Sequence, residues 1–351
     1  MSRSASRPVA GLVIALALGV GGCATATHTA SMAHTASMAH TASTRQPTVT
    51  ASRSAPATQT TVTSSTSTST LPGAGKPPVT IGDKNYTEQF VLGQLYLQAL
   101  TAQGFTVMIN QNIGPTDVTL QALKTGALTM YPEYLNTFNS AVAGYQHGFR
   151  SRVAADHAAE RFGLAHGLAL LEPTPFSDTD AIAVTVAFAR DNRLRLIVDL
   201  RRVAATLTMA GPPQFQTSAP GLPELSSAYG VTPEVFRGLP VGAQYAPLNT
   251  GSVQAAYVNS TDGQLASGDY QLLADNRGIF GWGNVVPVVS EAALAKEGPA
   301  FAATVERVDR ALTTPVMRRL NAAVDIAKQD PAAVARQFLQ THGLLEPLGS
   351  P

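Results

Sequence analysis

From Val79 onward the chain alternates short apolar runs with stretches whose apolar residues recur at helical spacing, and that rhythm constrains its fold most. Val79-Thr80-Ile81 reads as a strand whose polar loop leads into a helix from about Thr87. On that helix Val91, Leu95 and Ala99 form one stripe, with Leu92 and Tyr96 beside it. Gly104 ends the helix and Phe105 to Ile109 reads as the next strand. Thr116 or Asp117 is expected to cap a helix that carries Leu120 and Leu123 and stops at Gly126. Another short strand leads to Tyr131. Later apolar runs cover 181–187 and 206–210, and helices are expected near Leu222–Tyr229 and Ser252–Tyr257. Val285 to Val289 is a final strand, followed by three helical segments. This order predicts an α/β fold with largely parallel sheets, in which ligands sit beyond the carboxyl ends of strands.

The N-terminus is of a different kind. Arg3 and Arg7 precede an apolar run from Val9 to Val20, too short to span a bilayer but suited to a signal-peptide core. It closes on Val20-Gly21-Gly22-Cys23, small residues before the only cysteine, so residues 1–22 read as a lipoprotein signal peptide and Cys23 as the lipidation site. A single cysteine excludes an internal disulfide. Residues 23–77 are expected to form a Ser/Thr/Ala/Pro tether, because so little apolar surface cannot offset the entropy of ordering. The histidines of its repeat, His28, His34 and His40, have no acidic or thiol partners and predict no metal site.

All 23 acidic residues fall after residue 77, together with 19 of the 24 basic ones, so the folded part carries a net charge of −4. No basic stripe suggests nucleic acid. Lys124-Thr125-Gly126 resembles one element of penicillin-recognising enzymes, but the chain has no Ser-x-x-Lys nucleophile motif. It also has no phosphate-binding loop, no Gly-x-Ser-x-Gly and no His-Glu-x-x-His. His147, His157, His166 and His342 show no metal-ligand spacing. The expectation is a binding protein without cofactor or metal, not an enzyme.

Four loop motifs carry the functional signal: Lys84-Asn85-Tyr86-Thr87-Glu88-Gln89, Gly114-Pro115-Thr116-Asp117-Val118, Tyr131-Pro132-Glu133-Tyr134 and Ser260-Thr261-Asp262-Gly263. Together with a closing segment at Ala335 to Leu345, they resemble the substrate-binding lipoproteins of ABC importers for glycine betaine, choline and carnitine. The resemblance implies a type II periplasmic-binding-protein fold: two α/β lobes, two crossover strands and an interlobe cleft that closes on ligand. Lobe 1 would comprise 78–178 plus 284–351, and lobe 2 179–283. The implied partners are a small solute, an ABC permease with its ATPase, and the membrane through the lipid anchor.

In that family four tyrosines enclose a trimethylammonium group, which cannot donate a conventional N–H hydrogen bond and is held by cation–π attraction. By the resemblance Tyr134 keeps one cage position, with Gln89 and Thr137 as polar contacts. Asp180, Asn259 and Gly283 stand at the other three, with Trp282 beside Gly283. Asp180 and Asn259 thus predict a hydrogen-bonding solute rather than a strict betaine. Lys84, Asn85, Thr87, Asp117, Tyr257 and Thr261 complete the candidate set. A sensory or adhesion lipoprotein on the same fold is the alternative reading.

Overall fold

The computed structural model describes residues 70–348. The signal segment, Cys23 and the His28–His40 repeat lie outside the described residues.

The chain opens with β1 (Val79–Gly82), β2 (Val107–Asn110), β3 (Met130–Tyr134) and β4 (Leu168–Leu170). It then forms β5 (Asp180–Thr185), β6 (Thr208–Gly211), β7 (Val235–Gly238), β8 (Ala255–Asn259) and β9 (Tyr270–Leu273). Finally β10 (Val285–Ser290) returns to the first group. Two five-stranded sheets result, ordered β2-β1-β3-β10-β4 and β7-β6-β8-β5-β9.

The expectation of largely parallel sheets needs correction. In the first sheet β1 pairs parallel with β2 and β3, but β10 runs antiparallel to β3 and β4. In the second, β6 pairs parallel with β7 and β8, but β5 runs antiparallel to β8 and β9. The reason is topological. β5 and β10 are the strands that enter a lobe directly from a crossover, and each arrives running against its neighbours.

The helix Thr87–Ala102 buries its expected stripe: Val91, Leu92, Leu95, Tyr96 and Ala99 are all fully inaccessible. Tyr96 satisfies its hydroxyl by donating to Asp309 Oδ1 at 2.6 Å. Other local expectations fail for physical reasons. Residues 252–257 do not form a helix; Ala255 opens β8, whose Ala255, Ala256 and Val258 are fully buried at the centre of the sheet. A short apolar run fits a two-sided buried strand as well as a helix. The helix Thr116–Lys124 has no side-chain cap, because the cap position falls on Pro115, which has no side-chain acceptor, and the Thr116 hydroxyl donates to Glu133 instead. Four C-terminal helices replace three: Glu291–Glu297, Pro299–Asp309, Thr314–Asp325 and Pro331–Thr341. The last residues assigned to the tether pack on the domain, with Gly73 N donating to Gln103 O at 2.9 Å and Lys76 Nζ to Lys296 O at 2.9 Å.

The crossovers are residues 171–179 and 274–284, and they touch. Ser177 and Asn284 form an antiparallel bridge, Asp178 N donates to Gly283 O at 2.9 Å, and Gly283 N donates to Ser177 Oγ at 3.1 Å. A Cβ at Gly283 would sit 1.6 Å from the Asp178 carbonyl oxygen. Gly283→Ala is therefore expected to cost at least about 2 kcal/mol, since backbone must move to admit a methyl group. Denaturant unfolding would measure it, and an unchanged midpoint would show that the crossovers are not held at this spacing.

Candidate functional site

The four loop motifs prove to do different things. Ser260 bonds both crossover and lobe: its N donates to Thr179 O at 2.8 Å, and its hydroxyl donates to Ser177 O and accepts from Thr179 N, each at 2.9 Å. Its carbonyl accepts from Arg318 Nε at 2.8 Å, and the Thr261 carbonyl accepts from Asn321 Nδ2 at 3.0 Å. A Cβ on Gly263 would lie 2.6 Å from Ala322 N. The turn thus docks the second lobe onto the helix Thr314–Asp325 of the first.

Beneath it, Glu88 accepts from Tyr134 Oη at 2.8 Å through Oε1 and from Asn321 Nδ2 at 3.0 Å through Oε2. Burial lifts the Glu88 carboxyl above its ordinary value, opposed by hydrogen bonds from Thr261, Asn321 and Tyr134. Burial, and then the charge of Glu88, lift Asp178 in the same direction, and its Oδ1 has no partner among the described residues. Tyr134 is only 6 % exposed, with its ring 6.0 Å from that of Tyr86.

The Lys84 ammonium is buried between both oxygens of Glu133, at 2.6 and 2.7 Å, and the Thr116 hydroxyl at 2.9 Å. Gln89 is fully buried; its Oε1 accepts from Lys84 N at 3.4 Å and its Nε2 donates to Pro132 O at 3.2 Å. Lys84 and Gln89 brace the loops of the first lobe. Thr87 donates its hydroxyl to Asp325, and Asn85 and Asp117 are exposed.

A cavity of about 660 Å³ opens between the lobes. Of the residues predicted from sequence, Thr137, Asp180 and Trp282 line it, whereas Gln89, Tyr134 and Asn259 do not. Asp180 Oδ1 accepts from Tyr257 Oη at 2.6 Å, and Asn259 stands opposite Asp180 in the β5–β8 register. Burial raises the Asp180 carboxyl, opposed by that Tyr257 bond. Trp282 donates its indole N–H to Phe149 O at 3.1 Å. Sequence reasoning missed the loop that carries Phe149. Tyr145, His147 and Phe149 all line the cavity, with ring centroids 5.2 to 5.8 Å apart. Their alternation in a polar, non-helical stretch was the available signal. The loop follows a π-helical turn, Phe138–Val142, that supplies Asn139 and Ser140 to the same wall.

The substrate-binding domain of the ABC-type glycine betaine transport system, OpuAC, matches residues 77–341. The chain belongs to this family. It is 31% identical over 279 residues to a glycine-betaine-binding protein of Pseudomonas aeruginosa PAO1, covering 76% of this chain and 88% of the relative. It is 29% identical over 291 residues to the glycine betaine-binding protein YehZ of Escherichia coli K12, covering 78% and 93%. The fold matches a crystal structure described as a glycine betaine/carnitine/choline ABC transporter with a TM-score of 0.72, at 22% identity, over 76% of this chain and 100% of the other. The fold is therefore the type II periplasmic-binding-protein fold, and the family is one of extracytoplasmic solute-binding receptors that work with permease components. Among the described residues no helix is long and apolar enough to cross a membrane.

Gly283 now has a reason of its own. Its place against the Asp178 carbonyl excludes any side chain, so no tyrosine can stand there without moving a crossover.

The buried acids fix the sign of a pH effect. Asp83 is raised to about 6 by burial, against a bond from Asn112 N, and Glu88, Asp178 and Asp309 are raised by burial too. Such a group binds its proton more tightly folded than unfolded, so its stability is full below the unfolded value near pH 4 and is lost as pH rises through the folded one. For Asp83 that window runs from about 4 to about 6 and is worth roughly 2–3 kcal/mol. The melting temperature is expected to fall by several degrees between about pH 5 and pH 8. A rise over that range would contradict the assignment.

Proposed function

We propose that this receptor captures a small organic cation that also donates hydrogen bonds, of the osmoprotectant type or a close relative. The observation carrying this reading is Asp180, a carboxylate on the wall of the interlobe cavity where the resemblance places a cage tyrosine. A carboxylate there offers charge-assisted hydrogen bonds, which a trimethylammonium group cannot return. The names of the relatives, glycine betaine-binding proteins, support an osmoprotectant-type solute, to which Asp180 adds the demand for a hydrogen-bond donor.

In this reading Thr137 and Asn136 orient the polar end of the solute, Asp180 takes its cationic donor, and Trp282 supplies an apolar face. Asn259 and Tyr257 act through Asp180, which Tyr257 holds in place. Tyr134 supports the junction through Glu88 rather than stacking on the solute. The solute stabilises the closed arrangement of the lobes, and the closed form is what the permease receives. The motif at Val20–Cys23 supports a lipid anchor on the outer face of the cytoplasmic membrane. Cys23→Ala is then expected to move the protein from the membrane fraction to the soluble fraction; retention in the membrane would remove the anchor from the account.

The chain has one tryptophan, Trp282, which lines the cavity, so fluorescence excited selectively at tryptophan reports on that wall. Titration with glycine betaine, choline, carnitine, proline betaine and a panel of amines and polyols is expected to give saturable binding of cations. Asp180→Asn should weaken the tightest of them about tenfold, and Asp180→Tyr should strengthen glycine betaine. Because Asp180 is raised by burial, affinity for a fixed cation should increase with pH. An Asp180→Asn protein that binds every solute as tightly as the wild type would refute this reading.

A further inference from the structure

The family's cage holds a roughly spherical head by surrounding it with rings. Here the aromatic residues most open to the cavity gather on one side. Tyr145, His147 and Phe149 come from one five-residue loop of the first lobe, and Trp282 is tied to that loop by its bond to the Phe149 carbonyl. That bond uses the only donor of the indole, so Trp282 offers the cavity an apolar surface and no hydrogen bond. Tyr145 and Phe149 meet edge to face at 87° and 5.4 Å, with His147 5.2 Å from Phe149. The second lobe brings Asp180, Pro220 and Glu224 to the cavity, and its one aromatic residue there, Phe280, is only 5 % exposed and packs in that lobe's core.

Most other aromatics of the described residues are buried, although Tyr86 is 39 % exposed. Tyr145 is half-buried and His147 exposed, and neither belongs to any of the hydrophobic cores of the described residues. Grouped aromatics left open in a cleft mark a binding surface. A wall of rings facing carboxylates and a proline does not enclose a sphere; it matches a flat cation, with π contact on one face and charge on the other. The cavity, at about 660 Å³, is also in the range of pockets that bury ligands well beyond the smallest betaines.

We propose that the Tyr145–Phe149 loop and Trp282 form a ring-recognition wall that selects, among organic cations of the betaine type, those carrying a flat unsaturated ring. This inference rests on the solute-receptor reading above. The loop, rather than the positions of the family's cage, is then the specificity determinant.

The test uses the full chain and three probes: glycine betaine, proline betaine with its saturated ring, and N-methylnicotinate with its flat one. Calorimetry gives the affinities, and Trp282 fluorescence reports contact with the wall. N-methylnicotinate is expected to bind about tenfold more tightly than proline betaine and to quench Trp282. In Tyr145→Ala/Phe149→Ala the ratio of the two affinities should fall to about one. Thermal melting of the variant verifies that it is folded, and Tyr145→Phe, which keeps the ring, should preserve the ratio. Equal binding of the two ring solutes by the wild type, or a ratio that survives the double substitution, would overturn the wall while leaving the receptor reading intact. Failure of all three probes to bind would overturn the wall, whereas the receptor reading, whose solute donates hydrogen bonds, is decided separately by the Asp180→Asn titration.

Discussion

Two chain segments pass between the lobes in van der Waals contact, and the rest of the site depends on that passage. Asp178 N and Gly283 O share a hydrogen bond at 2.9 Å in a space that admits no side chain at position 283. Ser260 then ties the second lobe to the same place through Ser177 and Thr179. Asp180 follows Asp178 by two residues and Trp282 precedes Gly283 by one. The two cavity side chains with the most distinctive chemistry are thus fixed beside the hinge, where a rotation of the lobes displaces atoms least. The segments 136–149 and 219–224 line the same cavity from either side, and a closure of the lobes would bring them toward these two side chains. A floor that moves little and walls that move more let the binding groups be organised before the solute arrives.

How much of this was legible in the sequence follows from what each residue depends on. The stripe Val91–Leu95–Ala99 was readable because a helical period is local and all three residues are fully buried in the structure. β8 was not readable as a strand, since Ala255, Ala256 and Val258 take their state from neighbours far along the chain. The same distinction divides the site. Asp180 and Trp282 were found because the motifs beside them set the alignment, and both line the cavity. Gln89 and Tyr134 were found by the same motifs, but their partners are buried groups at Pro132 and Glu88, and these became visible only in three dimensions. The loop at Tyr145–Phe149 lies outside every motif, so the resemblance could not point to it.

The charge available to a solute is smaller than the count of acids suggests. Glu133 is neutralised by Lys84 at 2.6 Å, and Glu88 and Asp178 share a buried junction where both hold their protons more tightly than free carboxyls do. Asp262 is also raised by burial and accepts from Tyr245 at 2.7 Å. What remains open to the cavity is Asp180 and Glu224, the latter with one oxygen already accepting from Gly221 N at 2.9 Å. Selectivity for a cation, as proposed, would therefore be local, set by one or two carboxylates rather than by the net charge of the domain. Burial disfavours ionised Asp180 while the cavity is empty, and a cation beside it reverses that balance. In the proposed reading, capture of the solute and release of the Asp180 proton are two sides of one equilibrium, so the pH of the surroundings would act on affinity through the residue proposed to recognise the ligand.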